Sequence, residues 1–391
     1  MGTSTTDSRL IAIDAARGAA MLLVCAAHFL LALTYADAEA LEPGLMLTVT
    51  AVASPTFMVI SGVTVGYLLT RSRLDPWRMR ARLMDRAALL LVPVHLLVRL
   101  PHLLDPDQGW NAVRVIEITD AIALAILLNL WLIRIHYAKR LAVAVAIFGG
   151  AWLLNLTWNP DGALLTGIKD VLVRAAWDHD SVLHGFAVLP WTAVHLAATV
   201  LGERMAVLGR PVVSAGLIRG AATVGVTAMM AAVIAKLGHV SWRETLDIDP
   251  SSSLNAIVAT LVSPFGKYPP SPAYVAFCGG AGLIFLSAVF TADRRGWLAA
   301  VASPIALLGR SSLCVWVVQA WVYWGIVQNV PVPAAHLLPL YFVSTFALIW
   351  VVAFVWDRHG WNRHLTLGIP WLVERMRSGD SLLRRSAPGR A

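Results

Sequence analysis

Apolar segments of about 20 residues recur from one end of the chain to the other, and a helix of that length crosses the hydrocarbon core of a bilayer. Of the 391 residues, 58% are hydrophobic and 14% are charged, whereas soluble domains have about 25% charged residues. In lipid the backbone must satisfy its own hydrogen bonds, so such segments form helices. The sequence therefore predicts an all-α, polytopic integral membrane bundle.

We expect about ten transmembrane helices in one domain, residues 1–356, followed by a basic cytoplasmic tail, residues 357–391. An eleventh span or a re-entrant segment around residues 297–308 is an alternative. The ten predicted spans are residues 11–34, 45–70, 87–104, 116–135, 141–156, 186–206, 220–237, 272–290, 311–328 and 337–356.

The basic residues predict the orientation of this bundle. The net charge is +8, but Lys and Arg are spread over short loops, which favours a topology signal over a nucleic-acid surface. With both termini in the cytoplasm, 24 of the 31 Lys and Arg fall on the cytoplasmic side. The two long polar loops, after the fifth and seventh predicted helices, are then extracytoplasmic. The other seven basic residues are Arg99, Arg114, Lys169, Arg174, Lys236, Arg243 and Lys267.

Two further features of the apolar runs, the cysteines and the basic residues before the first run, say less about function. Cys25, Cys278 and Cys314 each lie inside such a run, which favours packing over a disulfide or a thiolate metal site. The first run has basic residues ahead of it, as a cleaved signal peptide does. Its length and the spans that follow favour a retained helix.

The first predicted helix carries ionisable side chains on one face. Positions eleven apart in a helix differ by only about 20° around its axis, so Arg17 and His28 share a face, with His28 about 16 Å deeper in the membrane. Asp14 lies on the same stripe. Ionisable groups inside a membrane are costly and usually functional. The structural alternative is a local Asp14–Arg17 salt bridge and a His28 that binds a backbone carbonyl.

The spacing of Arg17 and His28, with Asp14 before and Gly18 after, resembles the opening of the transmembrane acyltransferase superfamily. Its branches include acyltransferase-three proteins and heparan-α-glucosaminide N-acetyltransferase-like membrane proteins. The similarity extends over most of the chain, although its other motifs are short. They are SPTFMVISG at residues 54–62, LPW at 189–191, KYPPS at 267–271 and LGRSSL at 308–313.

This resemblance implies transfer of an acyl group from cytoplasmic acyl-CoA, such as acetyl-CoA, to a hydroxyl or amino group of a carbohydrate or glycolipid-like acceptor. Arg17 and His28 are then the essential pair, and Asp14 holds Arg17. A neutral imidazole can take the proton of the acceptor and return it to the leaving thiolate. Alternatively, His28 is itself transiently acylated. Many relatives carry a histidine where this chain has Gln319, which can position a substrate but does not titrate.

The sequence offers further candidate site residues. Asp120, near the outer end of the fourth predicted helix, is expected to orient His28 or to hold an acceptor hydroxyl, or else marks a loop edge. Substrate contacts are expected from Gln319, Lys267, Tyr268 and Trp191, although Lys267 and Tyr268 equally suit interfacial anchors. His95 and His195, deep in their helices, are second-tier candidates that also suit core positions.

Arginines supply the candidates for the donor phosphates, namely Arg78, Arg82 and Arg310. The positive-inside rule alone also explains the basic run from Arg71 to Arg86, and no Gly-rich phosphate loop accompanies it. No metal cofactor is expected. The ligand-type residues Asp178, His179, Asp180 and His184 are equally explained as solvated surface, or as a sugar contact through Trp177.

Two other classes of protein fit parts of the pattern. A transporter or lipid carrier would use His28 and Asp120 as a proton relay or a mid-membrane binding site, but the halves of the chain show no convincing internal repeat. A non-catalytic membrane scaffold would tolerate replacement of Arg17 and His28. The oligomeric state stays open, a homodimer included.

Overall fold

Fourteen α-helices account for most of the residues that the computed structural model describes, which confirms the all-α prediction. The described residues are 11–36, 43–71, 76–103, 109–175, 184–208, 213–246, 248–249, 251–331 and 333–362. The helices are α1 (Ile11–Ala36), α2 (Pro43–Arg71), α3 (Pro76–Leu89), α4 (His95–Leu103), α5 (Ile118–Asn129), α6 (Tyr137–Thr157), α7 (Ala163–Lys169), α8 (Val188–Leu208), α9 (Ala215–Thr245), α10 (Ser253–Leu261), α11 (Pro272–Arg294), α12 (Leu298–Arg310), α13 (Ser312–Ala320) and α14 (Leu338–Arg358).

Within the described ranges, three π-helical segments lengthen these helices, and one of them, Asp170–Arg174, continues α7. Leu90–Val94 joins α3 to α4 around Pro93, where the missing backbone N–H of proline interrupts the regular hydrogen-bond ladder. Trp321–Ile326 continues α13. The third predicted span is therefore part of a longer helical rod that begins at Pro76. The basic run before it, predicted as a loop, lies largely on α3.

The number of candidate spans among the described residues is lower than the ten expected. Among the described residues, six helices are long and apolar enough to cross a membrane, or seven if the α12–α13 pair, bent by 82°, is one broken span. Ten spans are thus not confirmed. α5 has only 12 residues, and α8 carries His195, Glu203 and Arg204. The six are α1, α2, α6, α9, α11 and α14.

The first helix lies at the centre of the bundle. α1 packs against α2, α11, α12, α13 and α14, and a second layer is formed by α8 against α2, α5 and α6. Four alanines on α1, namely Ala12, Ala16, Ala20 and Ala32, are fully buried. Their small side chains let neighbouring helices approach closely. Because α1 is surrounded on several sides, its polar residues face other helices.

Glycines bring α2 and α8 into backbone contact. A Cβ atom added at Gly66 would overlap the carbonyl oxygen of Thr199, and one added at Gly202 would overlap that of Val63. The same arrangement joins α1 to α12 through Gly18 and Gly309. These crossings fix the depth of α1 and α2 relative to their neighbours.

A two-residue parallel strand pair, not foreseen from the sequence, ties two distant connections together. β1 (Val115–Ile116) pairs with β2 (His184–Gly185), and the Phe186 amide donates to the Ile116 carbonyl at 3.0 Å. Gly185 has a φ of +114°, a conformation that favours glycine. The pairing places the residues ahead of α5 beside those ahead of α8.

The α2–α8 crossing generates the first prediction. We expect Gly66→Ala to destabilise the protein by about 1–3 kcal/mol, because the added methyl group overpacks a backbone contact. The matched control is Gly149→Ala on α6, where a Cβ meets no atom within 4 Å and alanine has the better helix propensity. Thermal unfolding of the detergent-solubilised protein measures both. Equal melting temperatures for the two variants would contradict the close crossing.

Candidate active site

His28 lies in the C-terminal half of α1, where its imidazole meets Gln319 of α13. The Nδ1 atom of His28 is 2.9 Å from the Gln319 Oε1 atom. The amide nitrogen of Gln319 donates to the Trp316 carbonyl at 3.2 Å, so the amide oxygen faces the ring. An amide oxygen can only accept, and the hydrogen bonds therefore assign the proton to Nδ1. Nε2 keeps its lone pair.

Aromatic rings surround this imidazole. The Trp316 ring lies edge-on at 5.3 Å from the His28 ring centroid, and Trp324, on the π-helical continuation of α13, lies at 6.2 Å. Trp324 also contacts His102 of α4, with ring centroids 5.1 Å apart. The Trp321 indole donates to the Leu97 carbonyl at 3.0 Å, which fixes α4 against this segment. Two histidines from different helices thus share one tryptophan.

Charged side chains from outside α1 act on His28. Arg99 of α4 forms an ion pair with Glu117, and both act electrostatically on His28, as does Lys267. Glu117 follows β1 and begins α5 in a capping box with Asp120. Glu117 was not predicted as a site residue, and Arg99 entered the sequence argument only through its charge. A capping box is visible in sequence, but it indicates a helix start and no contact with His28.

The predicted candidate Asp120 binds a different histidine. Its Oδ2 atom is 2.8 Å from His95 Nδ1 and accepts from the Glu117 amide at 2.8 Å. His95 Nε2 lies 3.1 Å from the Val113 carbonyl. Asp120 therefore joins α4 to the start of α5 and holds the backbone of Glu117. Its hydrogen bonds are not to His28.

The three residues Lys267, Tyr268 and Trp191, which are predicted to contact the substrate, lie near the β1–β2 strand pair. The Lys267 ammonium lies 5.3 Å from the Phe186 ring centroid and 5.0 Å from that of Tyr268. Phe186 contacts Trp191 at 6.1 Å. Trp191 is fully buried, and within the described part of the chain its indole nitrogen has no hydrogen-bond partner. Lys267 and Tyr268 are accessible to a ligand, whereas Trp191 supports them from the core.

The opposite end of α1 holds the arginine of the predicted pair. Arg17 donates to the Thr64 hydroxyl of α2 at 2.9 Å, and a guanidinium nitrogen lies 3.8 Å from Asp14. The predicted contact between Asp14 and Arg17 is therefore present. Arg17 and His28 lie on the same face of α1, but about 16 Å separates them along the helix axis. The two side chains therefore lie in separate surroundings and do not touch.

The predicted phosphate-binding arginines lie in different surroundings. Arg310 pairs with Asp357 of α14 at 2.8 Å and interacts electrostatically with Asp14, so it lies at the Arg17 end of α1. Arg78 and Arg82 are exposed on α3. Between them, Arg80 stacks on the Trp131 ring at 4.2 Å.

The remaining histidine and metal candidates lie elsewhere. His195 is fully buried in α8, where its Nδ1 atom accepts from the Asn129 amide at 3.1 Å, as expected of a core histidine. Asp178, His179, Asp180 and the side chain of His184 lie outside the described residues, as does Trp177. Elsewhere in the described chain, no three His, Cys, Asp or Glu side chains gather as a metal site.

A family model for the catalytic domain of heparan-alpha-glucosaminide N-acetyltransferase matches residues 9–235. The chain belongs to this family. The resemblance drawn from Arg17 and His28 is thereby confirmed, and the protein is an N-acetyltransferase-like membrane protein. The matched region contains His28, Arg99 and Glu117, while Gln319 lies beyond it. No curated protein matches the chain.

The Gln319 contact generates the second prediction. We expect His28 to carry its proton on Nδ1, and Gln319→Leu to abolish this preference because leucine cannot accept the hydrogen bond. Nitrogen NMR of histidine-labelled protein measures the tautomer, and His28→Ala identifies the signal. A wild-type signal with the proton on Nε2 would contradict the assignment.

Proposed function

We propose that this protein transfers an acetyl group from acetyl-CoA to an amino or hydroxyl group of a carbohydrate acceptor, with His28 as general base. One observation carries the proposal: in a chain of this acetyltransferase family, the hydrogen bond to Gln319 leaves the Nε2 lone pair of His28 available. A neutral imidazole of this kind is a suitable base near neutral pH.

The proposed reaction is a direct transfer. As the acceptor oxygen or nitrogen attacks the thioester carbonyl, Nε2 of His28 takes its proton and becomes part of an imidazolium. The tetrahedral intermediate then expels the CoA thiolate, and the imidazolium returns the proton to that sulfur. An acyl-histidine route would use the same nitrogen as nucleophile.

The donor is proposed to enter at the Arg17 end of α1. This end holds Arg17 and Arg310, and Arg86 acts electrostatically on Arg17. Guanidinium groups bind phosphates through charge-assisted hydrogen bonds, and CoA carries its phosphates at the end of the molecule remote from its thioester. The excess of Lys and Arg assigned to this side supports a cytoplasmic location. The long pantetheine arm would then carry the thioester along α1 towards His28.

The acceptor is proposed to reach His28 from the opposite side. The name of the matched family specifies an α-glucosaminide as the group that receives acetyl. Trp324 near His28 and Tyr268 beside Lys267 offer ring faces on which the apolar face of a sugar can stack. An amino sugar or a related glycoside is therefore the proposed acceptor class.

The third prediction concerns the loss of the proposed general base, His28. We expect His28→Ala to lower the rate of acetyl transfer about 100- to 10,000-fold, the usual contribution of a general base. The assay follows radiolabelled acetyl from acetyl-CoA to p-nitrophenyl α-glucosaminide. His239→Ala is the matched control, because His239 binds Asn255 on α10 at 3.0 Å. Transfer by His28→Ala at the wild-type rate would refute the role of His28.

The donor site gives the fourth prediction. We expect Arg17→Gln to raise the KM for acetyl-CoA about tenfold and to change kcat little, since a charged phosphate contact is lost. The exposed Arg134 provides the control variant, Arg134→Gln. A lower kcat with an unchanged KM would instead place Arg17 in the chemical step.

A further inference from the structure

The largely buried carboxylate of Glu117 has no part in the mechanism above. Its side chain is 18% exposed, and its ion-pair partner Arg99 is 5% exposed. The backbone of Glu117 is held by Asp120, which in turn binds His95. Glu117 is thus fixed through both its side chain and its main chain.

The reaction creates a charge that the neighbours of the ring must accommodate. When Nε2 of His28 takes a proton, the imidazole becomes a cation among the rings of Trp316 and Trp324. A cation in such surroundings is costly without a counter-charge. Gln319 binds Nδ1 but is a neutral amide, so it orients the ring and supplies no negative charge.

Glu117 is an acidic side chain that acts electrostatically on His28. Lys267 and Arg99, which also act on the ring, are positive. The ring contacts support the same neighbourhood. His102, three residues after Arg99 on α4, shares Trp324 with His28 and interacts electrostatically with Glu117.

We propose that Glu117 is a positioning residue whose carboxylate, held by Arg99, stabilises the His28 imidazolium while the acceptor is deprotonated. This inference rests on the proposed function. In a Ser-His-Asp triad one carboxylate both orients the histidine and stabilises its charge. Here the two tasks are divided, with Gln319 orienting the ring and Glu117 supplying the charge.

The His95–Asp120 pair gives this arrangement its rigidity. Nδ1 of His95 faces the carboxylate and Nε2 faces a carbonyl oxygen, so the ring bridges α4 and the segment before β1. Arg99 lies one turn further along α4. The same helix therefore holds Glu117 from two directions.

The test compares two substitutions of Glu117 in the full-length protein in detergent, using the glucosaminide assay. Glu117→Gln keeps the size of the side chain and removes the charge, whereas Glu117→Asp keeps the charge and shortens the side chain. We expect Glu117→Gln to lower kcat about 10- to 100-fold, with the KM of acetyl-CoA and of the glycoside within about twofold of wild type. Glu117→Asp should retain more activity than Glu117→Gln.

A merely structural role predicts the opposite order, because an isosteric amide fills the same space and still binds Arg99. Glu203→Gln is the matched control, since Glu203 pairs with the buried Arg140 between α8 and α6. We expect it to leave kcat unchanged. The inference would be overturned if Glu117→Gln were as active as Glu117→Asp. It would also be overturned if Glu117→Gln and Glu203→Gln lost the same share of kcat.

The outcomes separate this inference from the proposed function. If Glu117→Gln keeps the wild-type kcat while His28→Ala is inactive, the role of Glu117 is overturned and that of His28 is kept. Wild-type activity in His28→Ala overturns the proposed function. A wild-type protein that neither transfers acetyl to the glycoside nor hydrolyses acetyl-CoA contradicts both.

Discussion

An ionisable side chain inside a helical bundle is tolerated only where a partner compensates its charge or satisfies its hydrogen bonds, and this constraint organises the whole molecule. The partner usually comes from another element, so each pair also ties two elements together. The pairs are Arg17 with Thr64, Arg99 with Glu117, His95 with Asp120, Arg140 with Glu203 and Arg310 with Asp357. Burial of one group therefore fixes the position of another.

Helices set by local apolar pattern were predicted well. The first predicted span, residues 11–34, corresponds to α1 (Ile11–Ala36), and the last, residues 337–356, to α14 (Leu338–Arg358). The predicted number of ten spans was not confirmed, and hydropathy does not show where a proline changes the helix type or where a helix turns. Pro93 lies in the π-helical segment between α3 and α4, and the α12–α13 pair bends by 82°.

The site was predictable only where one helix contains it. Helix periodicity placed Asp14, Arg17 and His28 on a common stripe, and the Asp14–Arg17 contact is local. Glu117 acts electrostatically on His28 only through the tertiary fold, to which the two-residue strand pair and the ion pair with α4 contribute. Asp120 was predicted as a site carboxylate near the outer end of a helix, but its partner His95 is 25 residues earlier in the chain. Spacing along one helix carries no information about such partners.

A glutamine at position 319, where the family resemblance leads one to expect a histidine, has a physical consequence for the neighbouring ring. A histidine at this position could donate or accept, and its own protonation would change the tautomer of His28. An amide does not titrate, and the bond from its nitrogen to the Trp316 carbonyl disfavours the flipped orientation. In the proposed mechanism the Nδ1 proton of His28 is therefore retained when Nε2 exchanges its proton. The changes of charge that the mechanism requires are then confined to one nitrogen of the ring.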